Sequence, residues 1–187
     1  MHDHNVPELE LEYKIDGLGL ALIYKDGQLM DAVTRGKDNI GDSVFENAIR
    51  VKGIPSKIAM EGDVEIRGEV VWKYDDFEPI NEQFAAEDKK VFANPRNGAA
   101  GTLKLHDPDE VERRGLSFIG YLIVKGSPNT TQSADIDTLI SLGFEVPEHH
   151  VVQHVVQFTA VAEGMREHRF EQAYPIDGVV IKVNDKN

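Results

Sequence analysis

From Glu8 to Lys14 the chain alternates strictly, with Leu9, Leu11 and Tyr13 on one face of an extended segment and Glu8, Glu10, Glu12 and Lys14 on the other. Successive side chains of a strand point to opposite faces, so this period of two commits the segment to a half-buried β-strand. The pattern recurs. Val64, Ile66, Val70 and Trp72 alternate with Glu65, Arg67 and Glu69, and near the C-terminal end Val179, Ile181 and Val183 share a face opposite Lys182. Three strands therefore carry charged faces: Glu12 with Lys14, Arg67 with Glu69, and Lys182. If they share one sheet, these faces converge on a polar cleft; otherwise they form the solvated outer face of a sheet.

Around these strands the pattern is mixed. Leu18 to Tyr24 and Gln28 to Thr34 flank Lys25-Asp26-Gly27, a hairpin turn in which glycine accepts a positive φ. Ser43 and Glu46 have capping-box spacing, which predicts a helix of about three turns ending before Pro55. Asp75 or Asp76 caps a helix through Phe77, Ile80 and Phe84; Leu116 to Val124 reads as an apolar strand, Ser133 to Leu142 as a helix closed by Gly143, and Phe158 to His168 as a helix containing Gly164. No linker or repeat divides the 187 residues, a length that can bury a core. The expectation is one α+β domain over 1–187, with mostly antiparallel sheets flanked by helices.

Charge narrows the function. With 33 acidic and 20 basic side chains the net charge is −13, which argues against a stand-alone clamp on duplex DNA but leaves room for small basic clusters. The absence of cysteine excludes a disulfide framework, a thiolate zinc site and a cysteine nucleophile. There is no apolar signal-peptide core and no apolar run long enough to span a bilayer, so a cytoplasmic protein without a membrane partner is expected. His149, His150 and His154 lack a completing carboxylate or cysteine pattern; they are expected in an exposed loop, and no protein metal site is expected.

The string Glu12-Tyr13-Lys14-Ile15-Asp16-Gly17 places a lysine at a strand end, two residues before an Asp-Gly pair. It resembles the K-x-D-G nucleotidyl-lysine motif of DNA ligases, RNA ligases and capping enzymes. Five more blocks follow in order: T-R-G at Thr34 to Gly36, E-x-R-G-E-V at Glu65 to Val70, F-A-N-P-R-N at Phe92 to Asn97, A-A-G-T-L at Ala99 to Leu103, and I-D-G-V-V-I-K-V-N at Ile176 to Asn184. Over nearly its whole length the chain thus resembles the adenylation domain of bacterial NAD-dependent DNA ligases. The F-A-N-P-R-N block separates that family from ATP-dependent ligases and capping enzymes.

The resemblance implies a nucleotidyltransferase fold and a two-step transfer. Lys14 matches the nucleophile, which attacks the α-phosphorus of NAD, expels nicotinamide mononucleotide and forms lysyl-AMP; AMP then passes to the 5′-phosphate of nicked DNA. An unshifted lysine, with a pKa of about 10.4, is protonated at neutral pH, so the attack calls for burial or neighbouring cations. Lys182 and Arg35 are the candidates, and they would also stabilise charge on the phosphoryl oxygens. Glu12 matches a residue on the adenine side, Arg35 a nucleotide contact, Glu69 a carboxylate that holds the ribose or orients metal, and Tyr121 an aromatic stacked on adenine, or else a core residue. Asp16 has a ribose or site-organising role or simply makes a turn; Gly17 permits close backbone approach. Arg96, Lys104 and Arg169 match basic positions that contact DNA or phosphate, with a solvated helix end the alternative for Arg169. Asp177 organises the site or makes a turn. Mg²⁺ would ride on substrate phosphates.

Three departures stand out. Lys37-Asp38-Asn39-Ile40 follows T-R-G where the family has Asp-Gly and an acidic stretch; Lys104 replaces an arginine, losing its bidentate fork; and Gly98 replaces an alanine, at a cost in helix propensity. The N-terminal NMN-binding subdomain, the OB-fold and all later domains of a full ligase are not represented, so the chain reads as an excised domain or part of a split or shortened ligase. Alone it is expected to bind the AMP moiety without sealing nicks. The alternatives are an ATP-dependent DNA or RNA ligase-like nucleotidyltransferase, or a non-catalytic nucleotide- or partner-binding module.

Overall fold

A computed structural model describes residues 7–36 and 41–187, so the departure at Lys37 to Ile40 lies outside the described residues. Among the described residues, seven strands form two antiparallel sheets. The first sheet has the order β6-β1-β7, from His149–Val152, Leu9–Ile15 and Ile176–Val183; the second has the order β3-β2-β4-β5, from Gln28–Thr34, Leu18–Lys25, Asp63–Val71 and Ser117–Lys125. The α+β class is as expected.

The three charged strands do not share a sheet. β1 and β7 lie in the first and β4 in the second, and Tyr121 links the two, its hydroxyl on Glu69 and its carbonyl on Lys182. Neither is the charged face of β1 solvated: Leu11 and Tyr13 are buried on one side, and Glu10 and Glu12 are 0% and 3% exposed on the other. Alternation identifies the side chains that share a face, but not what covers that face. The apolar side packs on Met165 and Phe158 of α6 (Val155–His168), while Lys182 on the polar side of β7 reaches the backbone of β5.

The main core lies on the second sheet, where Leu20, Leu22, Ile66, Trp72, Leu103 and Phe118 are at most 2% exposed. Asp26 and Gly27 turn the β2–β3 hairpin with φ of 48° and 78°, the pair of positive angles that suits right-twisted strands. The helix after Ser43 is shorter than three turns. Ser43 is drawn into a bridge with Val33, its hydroxyl donates to Asp31 at 2.7 Å instead of capping, and α1 is only Phe45–Ala48. Asp75 and Asp76 lie in the first turn of α2 (Tyr74–Ala86), whose cap position is Lys73; acidic side chains there still complement the helix dipole.

Two short helices were not legible as periodic patterns. Asn94 caps α3 (Pro95–Leu103) by accepting from the Asn97 N–H at 2.8 Å, with Pro95 opening the first turn. Asp107 caps α4 (Pro108–Arg114), and Gly115 ends it with φ of 71°. The Gln132–Ser141 helix, α5, is capped by Thr131. His149 and His150 are not in a loop: they pair with Glu12 and Leu11 as part of β6, a strand created by its neighbour rather than by its own composition.

Candidate functional site

Lys14 lies at the end of β1, opposite Gly178 in β7, with an irregularity of register just after it. Its ammonium donates to Asp177, and both side chains are about half exposed. This hydrogen bond and the lysine charge hold the Asp177 carboxyl below its ordinary range. The lysine is not buried, and the charge of Arg96 also acts on its partner Asp177. Lys182 is committed elsewhere, to Glu12.

Beyond Lys14 the chain is held at two points. The Asp16 N–H donates to the Pro175 carbonyl at 2.9 Å, and its carboxylate accepts from Arg96 Nη1 at 2.6 Å. At Gly17 an added Cβ would stand 2.5 Å from the Val70 carbonyl oxygen, so the absence of a side chain lets the motif lie against the end of β4. Asp16 therefore does more than turn the chain.

Glu69, one residue before Val70, faces the same space. Burial pushes its carboxyl up to about 7, opposed by a hydrogen bond from Tyr121 and by the charges of Arg96 and Arg35. The Tyr121 hydroxyl donates to Glu69 Oε1 at 3.4 Å, and burial pushes the phenol up to about 12. Tyr121 is partly buried and is absent from the apolar core. Together with Arg35, Thr34, Gly19 and Arg67 it lines a cavity of about 570 Å³, within the range of small-molecule sites.

Glu12 and Lys182 complete the group. The Lys182 ammonium lies 2.8 Å from Glu12 Oε1, donates to the Tyr121 carbonyl at 3.3 Å and stands 5.7 Å from the centre of the Tyr121 ring. Glu12 Oε2 is buried without a hydrogen-bond partner. Burial raises the Glu12 carboxyl and the charge of Lys182 opposes it. Glu12 and Lys182 adjoin Tyr121 but are not among the residues that line the cavity.

The three basic residues assigned to DNA or phosphate each have a partner within the chain. Arg96 is engaged with Asp16; Lys104 ends α3 and pairs with Asp42 at 3.1 Å, next to the Thr34 backbone; Arg169 sits on the 3₁₀ turn Arg169–Glu171 and stacks on Phe170, 4.4 Å from the ring centre. Asp42 as the Lys104 partner and the Pro175 carbonyl under Asp16 had no sequence signal, because each depends on a long-range approach. Among the described residues no three His, Asp or Glu side chains gather as a metal ligand set, and no helix is long and apolar enough to cross a membrane.

The model of the NAD-dependent DNA ligase adenylation domain matches residues 2–187. The chain belongs to this family. A DNA ligase of Acidobacterium capsulatum is 41% identical over 192 residues, covering 95% of this chain and 28% of that protein. One of Mycoplasma capricolum is 40% identical over 182 residues, covering 96% of this chain and 27% of that protein. The chain thus spans little more than a quarter of these curated relatives. Among solved structures, a mycobacterial DNA ligase D complexed with ATP and MES aligns over 98% of this chain and 52% of that one, with a TM-score of 0.54 and 15% identity. Another, Pmar-Lig_Pre., aligns over 97% of this chain and 40% of that one, with a TM-score of 0.53 and 16% identity. At such identities the likeness is one of fold: the adenylation domain has the nucleotidyltransferase architecture of ligases.

Proposed function

We propose that this adenylation domain takes AMP from NAD onto Lys14 and passes it to the 5′-phosphate at a nick in DNA. The observation that carries the reading is the clustering of the site: the strand bearing Lys14 also bears Glu12; Glu12, Lys182, Tyr121 and Glu69 follow one another by direct contact; and Arg96, which holds Asp16, acts on Glu69 through its charge.

In this reading adenine stacks on Tyr121 with Glu12 on its side of the pocket, while Glu69 and Asp16 serve the ribose and Arg35 the phosphates, Lys182 keeping its place on Glu12 and the Tyr121 carbonyl. Lys14 must leave Asp177 and lose a proton before its lone pair attacks the α-phosphorus. A nitrogen–phosphorus bond then forms, the bond to the bridging oxygen breaks, and nicotinamide mononucleotide leaves with its phosphate. Asp177 organises the lysine before attack. Mg²⁺ belongs to the substrate phosphates, where it would offset their charge.

Arg96, Lys104 and Arg169 supply only local phosphate contacts, consistent with a net charge of −13. The NMN-binding subdomain and OB-fold are taken to come from another segment or chain, and the compartment to be the cytoplasm.

The test is covalent labelling. With the NMN-binding subdomain of a relative supplied, NAD labelled in its adenylate is expected to label the domain, and Lys14→Ala is expected to lose the label while retaining the fold. Strong labelling from ATP with none from NAD would overturn the NAD assignment, and labelling that survives Lys14→Ala would overturn the nucleophile.

A further inference from the structure

Glu10 is not among the residues assigned a role above. It is 0% exposed, and neither of its carboxylate oxygens has a hydrogen-bond partner. It shares the polar face of β1 with Glu12 and lies directly opposite Lys182 in the β1–β7 register. Yet Lys182 reaches diagonally past it to Glu12, so one ammonium serves two buried carboxyl groups.

The other charges around this pair are already engaged or are acidic. Asp135 of α5, 1% exposed, faces Glu10 but is neutralised by Lys186 at 2.6 Å; on β6, His149 faces Glu12; on β5, Tyr121 contributes its carbonyl to Lys182. A buried carboxylate without a partner is costly, so Glu10 either stays neutral or acquires a cation. Burial pushes it up to about 7, against the pull of Lys182. The cation whose charge acts on it is its cross-strand neighbour Lys182.

We propose that Glu10 is a positioning residue of the nucleotide pocket, drawing Lys182 away from Glu12 and the Tyr121 carbonyl when it ionises. As a neutral acid it leaves Lys182 where the pocket needs it. As a carboxylate it competes for the ammonium, leaving Glu12 uncompensated and loosening the floor beneath Tyr121. Nucleotide occupancy then falls as pH rises, through a group that does not touch the ligand. This rests on the reading of the pocket as the AMP site.

Two measurements separate the layers. In the ligand-free domain labelled with ¹³C at glutamate carboxyls, the Glu10 resonance is expected to titrate near neutrality, and the Glu12 resonance to shift at the same midpoint. AMP affinity is expected to fall about tenfold between pH 6 and pH 8, as loss of one proton with a midpoint near 7 requires, and to change much less in Glu10→Gln. Titration of the AMP phosphate and of Glu69, which burial also pushes up to about 7, is common to both proteins and cancels in their ratio. A Glu12 resonance indifferent to Glu10, or an unchanged pH dependence in Glu10→Gln, overturns the proposal. No AMP binding at either pH in either protein overturns the pocket reading instead, which the ligand-free titration distinguishes. Should the glutamine variant fail to fold, the titration of the unaltered domain decides.

Discussion

The Arg96 guanidinium donates to the Asp16 carboxylate at 2.6 Å, across 80 residues of sequence. This contact ties the first turn of α3 to the loop two residues beyond Lys14. The F-A-N-P-R-N block and the K-x-D-G motif are therefore parts of one structure. An arginine expected to face DNA also holds the segment that presents the nucleophile.

Arg96→Ala should act on rate more than on stability. The two side chains are 58% and 30% exposed, so loss of the pair is expected to cost less than about 1 kcal/mol in urea unfolding. Displacing the loop should slow adenylylation roughly ten- to hundredfold. Single-turnover labelling with excess NAD checks this, and Arg96→Lys should recover part of the rate.

Lys182→Met should be far more damaging to the fold. The Glu12 and Lys182 side chains are 4% and 18% exposed, and removing the cation strands Glu12 and Glu10 together. Breaking a buried pair in this way costs about 3–5 kcal/mol at neutral pH. The loss should shrink at pH 5, where both carboxyls can be protonated, and parallel unfolding curves at the two pH values measure the difference.

Stability of the domain itself should fall on both sides of mildly acid pH. Glu10 and Glu69 are raised to about 7, so they bind protons more tightly when folded; their contribution is full below about 4.5 and is lost as pH rises through 7. Glu110 is lowered to about 2, first by its hydrogen bond from Arg113, so its contribution is present above about 4.5 and lost as pH falls towards 2. Unfolding measured from pH 3 to pH 9 should peak near pH 5, and Glu10→Gln with Glu69→Gln should flatten the alkaline limb.

Gly98→Ala restores the residue common in the family and improves helix propensity, yet it should destabilise this chain. The added Cβ would stand 2.8 Å from Trp72 Cε3, in a ring that is itself fully buried. Overpacking there is expected to cost about 1–3 kcal/mol, more than the propensity gain of up to about 1 kcal/mol. Thermal unfolding gives the sign, and a stabilised variant would show that Trp72 can yield.

Much of the fold was legible because its signals are local. The Asp26-Gly27 turn, the closing Gly143 and the alternation of β1 and β4 each need only neighbouring residues to specify them, whereas in β7 Ile181 and Val183 of the apolar face are half exposed and Lys182 opposite them is the more buried. Helix α1 was overestimated because Ser43 had a long-range competitor in Asp31, and β6 was missed because its extended form comes from pairing with β1. Helices α3 and α4 are too short for an apolar period to declare itself, although their Asn94-Pro95 and Asp107-Pro108 starts carry cap signals.

The order of residues alone determined the family, the strand that carries Lys14, and the face that Lys14 shares with Glu12 and Glu10. Tertiary structure alone decided that Glu10 and Glu12 on this face are buried while Lys14 stays half exposed, that Lys182 lies on Glu12 and Arg96 on Asp16, and that Glu10 is left without a partner. Backbone periodicity dictates the side of a strand from which a charge projects. Its solvation and its partner depend on which distant segment packs there, and a one-dimensional period carries no record of that.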